Sequence, residues 1–126
     1  MAKQTVIFDF DGVINSYTSK WQGATIMPDP PVPGIREVIA EIRRYYRVVV
    51  VSSRCYHAGG IEAIKKWLIE NNITVDDVTG EKPPAVVIVD DRAITFDGKP
   101  EGLLEKIKAF QPWNRRKKYQ VEENKQ

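Results

Sequence analysis

Val6-Ile7-Phe8-Asp9-Phe10-Asp11-Gly12-Val13 decides how this chain is read. An unbroken apolar run meets two carboxylates spaced two apart and then a glycine. Two further runs share its form: Val48 to Val51, followed by Ser52-Ser53-Arg54, and Val86 to Val89 within Ala85 to Asp90, followed by Asp91-Arg92. Continuous β-branched runs, unlike alternating ones, predict strands covered on both faces, as in a parallel sheet. Between them the apolar period changes to that of helices. Ile35, Val38, Ile39 and Ile42 follow Pro33-Gly34; Ile61, Ile64 and Leu68, with Trp67 beside them, follow Gly59-Gly60; Leu103, Ile107 and Phe110 follow Pro100. Short strands are expected at Ile73 to Val75 and Ala93 to Phe96. Alternating strands and helices predict an α/β fold, a three-layer α/β/α sandwich around a mostly parallel, Rossmann-like sheet with right-handed crossovers.

Ligands in such folds bind at the carboxyl ends of the strands. There the sequence places Asp9 and Asp11, Ser52 and Ser53, and Asp90 and Asp91, with Lys82 just ahead of the last strand. Strand side chains repeat every two residues, so Asp9 and Asp11 can share a direction. Carboxylates converging on one edge repel each other unless a divalent cation lies among them, and hard oxygen ligands favour magnesium. A lysine and a serine at the same edge suit phosphate oxygens. Arg54 and Arg92 fit two roles, contact with a substrate or an ion pair with a neighbouring carboxylate. His57 reads as an exposed loop residue near the mouth of the site, and Cys55 as a small, partly buried one. Trp21 and Tyr17, in a Pro-rich flap over about residues 12–33, line the entrance or pack the flap down.

The order of these parts resembles the haloacid dehalogenase-like (HAD) hydrolase superfamily. The strand ending in Asp9-Phe10-Asp11-Gly12 looks like its first motif, and the strand ending in Ser52 its second. Lys82 fits the third, and Val86 to Val89 with Asp90-Asp91 the fourth. A response-regulator receiver domain uses similar residue types in another order, with its paired acids first and its lysine last. The resemblance implies an aspartyl-phosphate mechanism. Asp9 would be the nucleophile and Asp11 the general acid and base. Ser52 and Lys82 would complete the catalytic set, with Ser52, Ser53, Arg54 and Lys82 meeting the substrate. Magnesium would be held by Asp9, the Asp11 carbonyl, Asp90 and Asp91. An aspartate at the position of Asp11 is what phosphatase branches carry.

Only 40 residues separate Asp11 from Ser52, and 29 separate Ser52 from Lys82. Neither insert can fold a cap domain, so the resemblance is to capless members, whose open sites take large substrates or are lidded by a neighbouring copy. The 126 residues are 42% hydrophobic and 29% charged, which suits one globular domain, here 1–112, and excludes a disordered chain. No apolar run nears the ~18 residues of a membrane span. A single cysteine and no signal-peptide pattern predict a cytoplasmic setting. From Trp113 to Gln126, five basic residues stand against two acidic ones, a net of +3, leaving −1 for the rest. A basic, flexible tail over 113–126 is therefore expected, compatible with a polyanionic partner such as nucleic acid. The expected activity is magnesium-dependent phosphomonoester hydrolysis, in one version on nucleotide or polynucleotide ends. The rival of another class is a non-catalytic phospho-ligand or protein-binding module on the same fold.

Overall fold

Valine and isoleucine favour extended backbone because their branched Cβ packs well on a pleated surface. In a computed structural model that describes residues 2–115, three of the four strands are built from such runs. They are β1 (Thr5–Asp9), β2 (Arg47–Val51) and β4 (Val87–Val89), with β3 at Asp77–Thr79. All pairings are parallel, and the spatial order is β3-β2-β1-β4. The helices are α1 (Ile35–Arg43), α2 (Gly60–Glu70) and α3 (Leu103–Ala109). The chain divides into two compact units, the first ending at Asp90 and the second beginning at Asp91. The first holds the whole sheet with α1 and α2, and the second holds α3 and a 3-10 turn at Trp113–Arg115. The tail expected over 113–126 lies outside the described residues beyond position 115.

Strand alternation sorts the core of the first unit. Val6 and Phe8 of β1, Val48 and Val50 of β2 and Val78 of β3 join Ile39 of α1 and Ile64, Trp67 and Leu68 of α2 in one cluster. Ile7 and Val49 alternate with these residues, pair with each other in register, and are also buried. These strands are thus covered on both faces, which explains their unbroken hydrophobicity.

The last apolar run departs from expectation. Val87, Ile88 and Val89 retain 52%, 44% and 38% exposure. Among the described residues β4 is an edge strand, with β1 as its one partner in the ladder. The helices of its unit pack elsewhere, α1 against β2 and α2 against β3. Val38, included in the first helical stripe, is also exposed, and Ile39 carries the burial of α1.

Neither short strand forms where periodicity placed it. Ala93 to Phe96 is irregular, with Phe96 59% exposed. Ile73 to Val75 is a connector, and the ladder begins four residues beyond Ile73, at Asp77. Asp76 sets that start. Its carboxylate accepts from the Val48 amide at 2.7 Å and takes the Arg43 guanidinium in a two-point contact at 2.9 and 3.2 Å. The Asp76 amide donates to the Val48 carbonyl at 2.8 Å.

The Arg43 contact and the Val48 amide hold the Asp76 carboxyl below the usual carboxylate range, against the opposing effect of burial. A depressed folded pKa stabilises above the unfolded value, about 3.9, and that contribution fades as pH falls through the lower folded value. Asp76→Asn is expected to cost about 1 kcal/mol at pH 7, a modest figure for a partly solvated pair. The difference from the unaltered chain should shrink in urea titrations below about pH 4. An equal difference at pH 7 and pH 3 would refute this linkage.

Candidate active site

The sheet order reverses beside β1: β2 and β3 continue on one side, and β4 is added on the other. In open parallel sheets the crevice at such a switch point receives ligands. Asp9 is the last residue of β1. Val89, the last of β4, pairs with Phe8, so Asp90 emerges beside Asp9. Asp9, Asp90 and Asp91, the residue bonded to Asp90, each offer a carboxylate oxygen, and the three oxygens lie within 4.8 Å of one another. Three hard anionic donors at this spacing fit a small divalent cation, as the sequence expectation requires of a magnesium site.

The Asp11 carboxylate is held apart from that cluster by the turn after β1. The Phe10 carbonyl accepts from the amides of Val13, Ile14 and Asn15 at 3.3, 2.9 and 3.0 Å, while Gly12 donates to the Asn15 carbonyl at 2.7 Å. Gly12 has φ +85°, a conformation open to glycine and costly for most other residues. Asp11 Oδ1 accepts from Asn15 Nδ2 at 3.0 Å and from Arg54 Nη2 at 3.1 Å, and Asp11 Oδ2 accepts from Arg54 Nε at 2.8 Å.

Ser52 follows β2, is buried, and its amide donates to the Thr79 carbonyl at 3.2 Å. Its Oγ accepts from the Arg54 amide at 3.2 Å and caps the 3-10 turn Ser53–Tyr56. The hydroxyl proton remains available for donation, as a phosphate oxygen would need. Ser53 opens that turn and is exposed. Lys82 is exposed on the loop before β4 and makes no ion pair or hydrogen bond among the described residues. Arg92 belongs to the second unit. His57 is exposed, its ring 5.8 Å from that of Trp21. Burial pushes the Cys55 thiol up.

The flap is an ordered loop. At its base Ser16 donates its amide to the Pro30 carbonyl at 3.0 Å and its hydroxyl to the same oxygen at 2.7 Å, and the Val32 amide reaches the Ile14 carbonyl at 2.8 Å. Midway, buried Asp29 accepts from the hydroxyls of Thr18 and Ser19 at 3.0 and 2.6 Å and from the Ser19 amide at 2.8 Å. Burial works to raise the Asp29 carboxyl, but these donors outweigh it and hold it below the ordinary range. The Asp29 carbonyl in turn accepts from Trp67 Nε1 at 3.3 Å, and the Trp67 ring meets Phe10 edge-on at 5.1 Å.

Two residues here have roles that sequence reasoning did not assign. Asn15, 1% exposed, links Asp11 to the Tyr17 amide, and Asp29 organises the flap. The one local hint for Asn15 was a polar side chain directly after buried Ile14. For Asp29 it was a carboxylate between Pro28 and Pro30, too short a pattern to specify partners ten residues away. Among the described residues, no helix is long and apolar enough to cross a membrane. Compared with protein-family models, with curated proteins and with solved structures, the chain has no match in any of the three.

Proposed function

We propose that the chain is a magnesium-dependent phosphomonoester hydrolase of the HAD type, working through an aspartyl-phosphate on Asp9. The observation that carries this reading is the convergence of Asp9, Asp90 and Asp91 at the switch point of a parallel sheet. The order of motifs in the sequence supports the same reading. Asp9, Asp90 and Asp91 would hold the cation, with the Asp11 carbonyl as a further ligand. Bound there, magnesium would neutralise charge on the phosphoryl oxygens and orient the ester for in-line attack.

In the first step an Asp9 carboxylate oxygen attacks phosphorus. The new P–O bond forms as the bond to the leaving alcohol breaks, and the Asp11 proton passes to that alcohol's oxygen. In the second step Asp11, now a carboxylate, takes a proton from water, whose oxygen attacks phosphorus. Inorganic phosphate leaves and the Asp9 carboxylate is restored. The Ser52 hydroxyl donates to a phosphoryl oxygen, and Lys82, exposed on the loop before β4, supplies a positive charge. The basic residues at 115–118 extend the reading to nucleotide or polynucleotide ends as one substrate class.

The test is inorganic phosphate release from an aryl phosphate and a panel of esters, with magnesium and after its removal by chelation. Turnover restored by added magnesium is the expected result. Magnesium binding without turnover on any ester would favour the non-catalytic binding module instead.

A further inference from the structure

A guanidinium removed from water is stable only where its donors are matched. The Arg54 side chain is 1% exposed, and its matches come from two places. One edge makes the two-point contact with Asp11. The other directs Nη1 at the flap, with the Gly23 carbonyl at 2.7 Å and the Ala24 carbonyl at 3.1 Å. The flap also lays the Trp21 ring against the guanidinium, 4.7 Å from ring centre to Cζ. One planar, rigid group therefore senses both the flap and the carboxylate.

A carboxylate has about four accepting positions, two on each oxygen. Asn15 and Arg54 together occupy both on Asp11 Oδ1, and Arg54 occupies one on Oδ2. We propose that Arg54 is a positioning residue that couples the two: a closed flap fixes the orientation of the Asp11 carboxylate through Arg54, and an open flap frees it. The kinetic half of this inference rests on the acid–base role proposed above for Asp11. The structural half rests on the contacts alone.

The experiment is amide hydrogen exchange on the full chain, read at Ser19 and Ile26 in the flap and at Val49 and Val50 in β2. Asp11→Asn and Arg54→Lys are expected to speed exchange in the flap on the order of tenfold or more relative to β2, whereas Asp9→Asn leaves the ratio unchanged. An unchanged ratio in Asp11→Asn and Arg54→Lys would overturn the coupling, as would equal acceleration in flap and sheet. Trp21→Ala gives a second reading at a half-exposed ring that tolerates truncation. It should loosen the flap and lower kcat about tenfold at nearly constant KM. A raised KM at constant kcat would assign Trp21 to substrate binding and overturn the coupling. Should the unaltered chain release no phosphate, the phosphatase reading fails, and the exchange ratios still decide the coupling.

Discussion

Asp9→Asn is expected to lower phosphate release by about three orders of magnitude or more, with the fold intact. The amide oxygen is a poor nucleophile. Asp9 occupies the end of a strand whose neighbours are buried on both faces, so the nearly isosteric change should leave packing and unfolding midpoint close to those of the parent. The substitution also removes one of three carboxylates from the proposed cation site, and the two effects must be separated. Asp90→Asn does this. It takes away a proposed cation ligand and leaves the proposed nucleophile, so raising magnesium should recover much of its activity, while Asp9→Asn should stay inactive at any magnesium concentration. Full activity in Asp9→Asn would show that the nucleophile lies elsewhere.

The second large effect is structural, at Gly60. A Cβ built there would lie 1.8 Å from the Arg54 carbonyl oxygen and 2.6 Å from its carbon, well inside contact distance. These are backbone atoms, and the same carbonyl accepts the His57 amide at 3.1 Å. It cannot swing aside without carrying Arg54 with it. Gly60→Ala is therefore expected to cost about 3 kcal/mol or more, read as a lower urea midpoint, despite alanine's better helix propensity. The neighbouring Gly59 makes a useful comparison. Its φ of +78° makes alanine strained, but the nearest atom to an added Cβ is the Thr25 methyl at 3.3 Å, a side chain that can yield. Gly59→Ala should cost closer to 1 kcal/mol. Equal and small losses at both positions would refute the close approach of α2 to the Arg54 backbone. Because Ser52 and Arg54 share that turn, Gly60→Ala should also reduce any turnover.

The two substitutions test features of unequal visibility in the sequence. The placement of Asp9, Ser52 and Asp90 at strand ends was legible because it depends on local pattern. A β-branched run extends wherever both faces can be buried, and whatever polar residue follows stands at its carboxyl end. The parallel α/β class followed from the same runs and from the helical stripes of Ile39, Ile64 and Leu68. What local pattern could not supply was partnership across distance. Arg54 and Asp11 lie 43 positions apart, and periodicity does not indicate that a buried guanidinium joins that carboxylate to the flap. The start of β3 depends on Asp76 meeting Val48 and Arg43, so tertiary hydrogen bonds overrode the β propensity of Ile73 to Val75. The exposure of β4 follows from its place at the edge of the sheet and from where α1 and α2 pack, neither of which its apolar sequence records. Gly59-Gly60 marked the start of α2, but only the folded backbone shows why the second glycine admits no side chain: a carbonyl from the preceding turn occupies that space. The sequence by itself determined the three β-branched strands, their order of appearance and which polar residues follow them, because these are properties of short segments in water. Tertiary structure alone decided which charges are paired, which strand is bare and which glycine is required, because each depends on atoms brought together only by folding.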